Sequence, residues 1–473
     1  GLQFLAHQHQ RAKKSLILSD VLESGLNTVQ WVEQVAQLVN KNKLHRFVGI
    51  GLSLFEHQSL FPGDSVFYPT AKAFEDEFPW NEFHDEVILV KGARIFQFES
   101  IVKRLQRKVH GTVMEIDLGA MIHNLNFFRG RLHPSTKLMV MVKAFAYGSG
   151  SNEVANLLQY HRVDYLGVAY ADEGVDLRKN NITVPIMVMN PSEDSFDSLL
   201  RYNLEPEIYS FKLLEALVKF LNGKACTIHL KLDTGMHRLG FEPDDIDNLI
   251  ILLQTNKNIR IASVFTHLAG ADESKHDSFS KKQVELFTRQ AQLLVAAIGY
   301  KPLFHVLNSP GILRLPEFQF DMVRLGIGLY GVDPTEAADA QLRPVASLKT
   351  IISQIKHVGV GETVGYGRRG IVDKPMTLAT IAIGYADGFS RAFSRGIGHV
   401  LVKGKKVPVV GNVCMDMTMI DVTDIEVKEG DEVVIFGHDL PIYEVASFIN
   451  TIPYEILTNT SERVKRVFVS EGL

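Results

Sequence analysis

The chain has 473 residues, a formal net charge of −4 and 22% charged residues, so it is long enough for about two or three globular domains and lacks the basic balance that nucleic-acid binding requires. Two cysteines, Cys226 and Cys414, exclude a disulfide framework, and no apolar run reaches the length of a membrane span. A cytoplasmic enzyme with a small-molecule substrate, and neither nucleic acid nor membrane as partner, is the expected class.

Residues 1 to about 110 read as a small α/β unit. Asn27-Thr28 starts a helix carrying Val29, Trp31, Val32, Val35, Leu38 and Val39 at helical spacing. Short apolar strands follow at Arg46–Ile50, Ser65–Tyr68 and Glu86–Val90, and a helix carrying Phe98, Ile101, Val102 and Leu105 closes the unit. The last strand and its turn Lys91-Gly92-Ala93-Arg94 resemble the C-terminal domain of Mur ligases, the UDP-N-acetylmuramoyl-tripeptide–D-alanyl-D-alanine ligases in particular, over roughly residues 13–107. The chain contains no G-x-x-x-x-G-K-[ST] phosphate loop, so the resemblance implies a ligase remnant without its ATP-binding domain, as in a ligase/racemase fusion. The sequence starts in mid-pattern, as expected for a piece of such a fusion.

From Thr112 the rhythm becomes strand, loop, helix, repeated. Candidate strands are Val113–Ile116, Leu138–Val142, Tyr165–Ala169, Ile186–Met189, Glu205–Tyr209, Thr227–Leu232, Ile259–Phe265, Leu303–Leu307 and Phe320–Val323. About eight β/α units over residues 111–345 predict a TIM barrel; an open doubly wound sheet is the alternative, without a G-x-G-x-x-G turn to support it. From 346 to 473 the pattern turns mostly β, with strands near Leu348–Val358, Leu378–Ile383, His399–Val402, Val407–Val410, Thr418–Val422 and Glu432–Phe436, and one helix near Tyr443–Ile449. The fold class is thus α/β: a small α/β unit, a (β/α)8 barrel and a β domain.

The run Leu138–Val142 ends abruptly in Lys143, with Tyr147, Gly148 and Gly150 just beyond. An amine at the carboxyl end of a buried strand is suited to forming a Schiff base with a carbonyl cofactor, although a solvated lysine after a core strand is the commoner case. Other polar residues fall at strand ends in the same way: Lys231, Asp233 and Arg238, then His267, then Asn308-Ser309, then Arg324. Each has a plain structural reading, His267 as a satisfied core histidine, Arg238 as a solvated charge, Asn308-Ser309 as a helix cap. Together they describe a polar rim at the face where barrels place their chemistry.

The segments M-V-K-A-F-A-Y-G-S-G, K-L-D-T-G-M-H-R-L-G, F-T-H-L-A-G-A-D, N-S-P, V-R-L-G-I-G-L-Y-G, G-E-T-V-G-Y-G, I-G-Y-A-D-G and V-C-M-D-M resemble, in order, those of alanine racemases, from residue 111 nearly to the end. The resemblance implies a pyridoxal 5′-phosphate enzyme, without a metal, that interconverts L- and D-alanine for peptidoglycan as a head-to-tail homodimer. It implies that Lys143 holds the cofactor and serves as one base, and that Tyr366, reaching the partner subunit's site, is the other. Arg324 would face the pyridine nitrogen; Tyr147, Asn308, Ser309, Gly326 and Ile327 would bind at or near the phosphate. Arg238 would meet the cofactor's phenolic oxygen and the substrate carboxylate, His267 would bond Tyr366 beside Arg324, and Met415 with Asp416 would bind substrate from the partner. Lys231 matches a position often carbamylated, where the new carboxylate would orient Arg238. Three positions depart from the family pattern: His237 for a glycine, Asn412 for an arginine, and Glu462 for a tyrosine that in some members reaches the phosphate. A racemase of broader specificity and a non-catalytic cofactor-binding or scaffold protein are the rival readings; a decarboxylase of the same fold is disfavoured by Arg324.

Overall fold

Strand Lys13–Ser19 is the first element of the computed structural model, which describes residues 5, 13–22, 25–42, 44–84, 86–105, 111–333, 335 and 341–469. The expected domain boundary near residue 110 lies outside the described residues. The chain divides into two compact units, Gly1–Val109 and His110–Leu473.

In the first unit four parallel strands lie in the order Val66–Tyr68, Arg46–Ile50, Lys13–Ser19, Glu86–Lys91. The central strand Lys13–Ser19 was absent from the sequence reading, because its K-K-S-L-I-L-S run carries only a short apolar stretch. Helix Thr28–Asn42 buries Trp31, Val32, Ala36 and Val39, while Val29 and Leu38 of the expected apolar face are exposed. Asp20 receives the amides of Ser53 and Leu54 at 3.0 Å each, and a side chain at Gly51 (φ 129°) would strike its carboxylate. Glycine is therefore required at that turn.

The second unit holds the barrel. Eight parallel strands run in the order Leu303–His305, Ile259–Phe265, Cys226–Lys231, Glu205–Ile208, Ile186–Val188, Tyr165–Val168, Lys137–Met141 and Met322–Leu325. The two end strands meet through Asp321 N–H to Phe304 O (3.1 Å) and Arg324 N–H to Leu307 O (3.0 Å), which nearly closes the ring. Strands such as Ile186–Val188 are buried throughout, as expected where helices cover a parallel sheet.

Val113–Asp117, read from sequence as the first barrel strand, belongs elsewhere. It lies in the β domain's sheet, antiparallel to Ala346–Val358 and parallel to Lys465–Val469. Its alternating burial, unlike that of the barrel strands, marks a sheet with two different faces. That sheet has eight strands, and the long strand Ala346–Val358 connects its two wings by pairing with Glu432–Phe436 and Met376–Ile381. Helix Pro453–Thr458 and strand Lys465–Val469, both unforeseen, return the chain to the barrel rim. Among the described residues no helix is long and apolar enough to cross a membrane.

Candidate active site

Lys143 stands where strand Lys137–Met141 runs out, and the backbone beyond it does something the sequence does not announce. Ala144, Phe145, Ala146 and Tyr147 all have positive φ, 51° to 54°, forming a left-handed turn of non-glycine residues. Such a conformation costs about 1–2 kcal/mol per residue, so the surroundings must impose it. Two side chains do so from outside the turn. Glu173 accepts the Ala144 amide at 2.7 Å while capping its own helix through the amides of Ala169 and Tyr170. Arg466 donates its Nε to Gly148 O at 2.8 Å and places its guanidinium over the Phe145 ring. Burial, and then the charge of Arg238, push the Lys143 amine below its ordinary value, against the pull of Glu207 and Glu173.

The turn delivers Tyr147 to a cradle. Its ring stacks on Tyr330 with centroids 4.6 Å apart, and Tyr330 Oη donates to Met141 O at 2.9 Å. Ser309 Oγ accepts the amides of Gly326 (2.9 Å) and Gly328 (3.2 Å), and a Cβ at Gly326 would come within 2.9 Å of Tyr147 Oη. Hydroxyls, backbone amides and the space that a missing side chain leaves therefore meet at one point, which is the donor set a phosphate monoester needs. Asn308 uses its Oδ1 to cap the helix Ser309–Arg314 through the Gly311 amide (3.0 Å), so its structural reading holds.

Arg324 is buried in the strand Met322–Leu325, one residue earlier in its element than the sequence suggested. It donates to the carbonyls of Thr266 (2.8 Å), Val306 (3.0 Å) and His305 (3.2 Å), and to His305 Nδ1 (2.5 Å). The contacts behind it form one buried line: His305 Nε2 to Ser263 Oγ (2.8 Å), Ser263 Oγ to His229 Nδ1 (2.7 Å), His229 Nε2 to Glu205 Oε2 (2.8 Å). Arginine can only donate, so every proton in this line is assigned by elimination. His305 accepts on Nδ1 and donates from Nε2; the Ser263 hydroxyl donates to His229 Nδ1; His229 donates from Nε2 to the carboxylate. His305 is held neutral, its pKa pushed well below the usual value by burial and then by Arg324. Burial lowers Arg324 to about 10, which leaves it charged at neutral pH.

His267 lies 3.5 Å from Arg324, Nδ1 to the guanidinium, and burial with the surrounding cations drives its pKa well below the usual value. Lys231 Nζ is 3.2 Å from Glu207 Oε1, both side chains nearly fully buried. Asp233 spends its carboxylate on the turn that follows, accepting the amides of Gly235, Met236 and His237 at 2.9–3.1 Å. His237, where the family pattern has glycine, takes φ 52°. Arg238 is exposed at the end of this turn and makes no hydrogen bond to a described residue.

The β-domain residues stand apart. Tyr366 is 71% exposed, with Asn412 Nδ2 donating to its carbonyl at 3.0 Å, and its side chain makes no hydrogen bond to His267 or any other rim residue within one chain. Met415 is 54% exposed, and Asp416 accepts from Arg463 at 2.7 Å. Arg463 also grips the buried Asp387, which in turn receives the Gly384 amide. Glu462 is exposed and, through its charge, raises the pKa of Arg466. The sequence reading missed Glu173, Glu207, Tyr330 and Arg466. Glu207 alone carried a signal: an acidic side chain within a strand otherwise buried on every side.

Two family models match this chain: the N-terminal domain of alanine racemase over residues 116–334 and the C-terminal domain over 345–468. The alanine racemase of Clostridium tetani is 36% identical over 375 residues, covering 76% of this chain and 95% of its own. Among solved structures, the alanine racemase of Clostridium difficile 630 is similar at 35% identity and TM-score 0.72, covering 77% of this chain and 97% of that one. The enzyme of Bartonella henselae, solved with covalently bound pyridoxal phosphate, is similar at 31% identity and TM-score 0.70, covering 76% of this chain and 99% of its own.

Proposed function

The chain belongs to the alanine racemase family, isomerases that work with pyridoxal 5′-phosphate, and on that premise we propose that its barrel rim interconverts L- and D-alanine with two bases, Lys143 and the Tyr366 of a second copy. The observation that carries the reading is the Lys143 amine, desolvated and set on an imposed left-handed turn a few residues from a hydroxyl-and-amide cradle.

The residues fit the cofactor. Tyr147, Ser309 and the amides of Gly326 and Ile327 would hold its phosphate, Lys143 its aldehyde carbon, and Arg324 its ring nitrogen. When bound, the group lends an attachment point for the amino acid and a ring that shares the electron pair left by the departing α-proton. Arg324 stays protonated, so it meets the ring nitrogen only as a donor and keeps that nitrogen from taking a proton. Its orientation is fixed by three carbonyls and the His305–Ser263–His229–Glu205 line. A desolvated Lys143 reaches its neutral, proton-accepting form below the pH at which a solvated lysine does. Arg238, unpaired and exposed, is free to receive a carboxylate. Racemisation requires a second base on the opposite face, and no other rim side chain is placed for it.

A second copy would supply Tyr366, Met415 and Asp416. What supports this is the exposed apolar group on the β domain: Tyr366, Ile371, Tyr385, Met415 and Met417, at 71%, 76%, 42%, 54% and 44% exposure. Backbone contacts link these loops, with Tyr385 N–H to Cys414 O and Ala386 N–H to Met415 O, both 3.0 Å. Residues 1–109 would be a ligase-like module that contributes none of the site.

Complementation tests the reading. Lys143→Ala and Tyr366→Phe protomers should each be inactive toward both enantiomers, the tyrosine variant by a general-base factor of about 10²- to 10⁴-fold. Mixing them gives heterodimers with one doubly damaged site and one whole site. Verified heterodimers that do not racemise alanine would refute the shared site.

A further inference from the structure

Four cations crowd the rim, Lys143, Lys231, Arg238 and Arg324, and one buried carboxylate answers them. Glu207 is 1% exposed and lies in strand Glu205–Ile208, two residues from Glu205 and thus on the same inward face. Its Oε1 is 3.2 Å from Lys231 Nζ, whose own side chain is only 6% exposed and sits over the Phe265 ring. Arg324 stacks on that same ring, 5.1 Å from its centroid, so Glu207, Lys231 and Arg324 share one small enclosed volume. The charges of Lys231, Arg324 and Arg238 all act on Glu207, opposing the upward push of burial. No step of the reaction uses this carboxylate, yet a lone buried acid is costly unless it serves as a counter-ion.

Building on the reading of the rim as a racemase site, we propose that Glu207 is a positioning residue that supplies the site's permanent anion: it holds Lys231 as an ammonium ion and keeps it from being carbamylated. Carbamylation needs the neutral amine. Its lone pair attacks the carbon of CO2, an N–C bond forms, one C=O electron pair moves to oxygen, and a proton leaves nitrogen for solvent. The product would be an anion lodged against a second buried anion, a like-charge pair with no intervening cation. With Glu207 present, the negative charge that a carbamate would bring to the Arg238 side of the rim is already built into the strand, independent of dissolved CO2.

The test uses the holoenzyme in ¹³C-bicarbonate buffer, read by ¹³C NMR, with racemisation measured in parallel. The wild type and Glu207→Asp should show no carbamate resonance, and their kcat/KM should not respond to bicarbonate. Glu207→Gln should gain a carbamate resonance that disappears in the Glu207→Gln/Lys231→Arg double variant. Without bicarbonate its kcat/KM should fall about 10- to 100-fold, the usual effect of losing a group that orients a working residue from behind, and bicarbonate should restore part of it. A Lys231-dependent resonance in the wild type overturns the proposal, and so does a folded Glu207→Gln variant that stays unlabelled. If Glu207→Gln does not fold, the wild-type spectrum alone decides, since it must be blank. The resonance is read without turnover, so a failure of the racemase reading shows separately as wild type that does not racemise alanine.

Discussion

Replacing Ser263 with alanine removes one oxygen atom from the middle of the line between Arg324 and Glu205. Ser263 is fully buried, as are His229 and His305 on either side. Tautomer exchange cannot repair the loss. His305 must keep Nδ1 as acceptor because Arg324 donates to it at 2.5 Å, so its Nε2–H is left without an acceptor. His229 must keep its proton on Nε2 for Glu205 at 2.8 Å, so its Nδ1 is left without a donor. Each unsatisfied buried group costs about 1–3 kcal/mol, and the gap left by one oxygen is too small for a water with its own partners. The expected loss of stability is therefore at least about 2 kcal/mol, measured as the shift in urea midpoint at constant slope. Racemisation by the folded variant should fall less than about 10-fold, because Arg324 keeps its bonds to the Thr266, Val306 and His305 carbonyls. A stability change below about 0.5 kcal/mol would refute the continuous line and the proton assignment built on it.

His237→Gly should stabilise the fold by about 0.5–1 kcal/mol, since relief of a left-handed residue at φ 52° outweighs the chain entropy that glycine adds; urea unfolding that shows a loss instead would mean that His237 contributes contacts of its own. Acid should destabilise the wild type below pH 6.5 through His267, whose depressed folded pKa makes the unfolded chain bind more protons, so stability is lost as pH falls from 6.5 toward the folded value. His267→Gln should make that slope shallower by up to about 1.4 kcal/mol per pH unit, and coincident slopes from unfolding curves at pH 5.5–7 would show that His267 is charged in the fold.

The barrel was legible because its strands are buried on both faces and read as unbroken apolar runs, and because the side chains at their ends are polar residues with few structural reasons to be there. Lys143, Lys231, His267 and Arg324 were found in this way, and the structure gathers them at one rim. The left-handed turn was not legible, because nothing local in K-A-F-A-Y favours positive φ. It is imposed by Glu173, thirty residues on, and by Arg466, in a strand more than three hundred residues on, through bonds that only the folded chain brings together. Val113–Asp117 was misplaced for a related reason. A strand's length and composition do not say which sheet will take it, and here the partners are Ala346–Val358 and Lys465–Val469, both far along the chain. Glu205 and Glu207 show the opposite failure. Their spacing of two on a strand places both on one face, and the barrel's curvature makes that face the interior, where an unpaired carboxylate is untenable. The pattern E-P-E-I thus predicts buried cations across the barrel before any coordinate is consulted. His229 and Lys231, spaced by two on the neighbouring strand, are those partners.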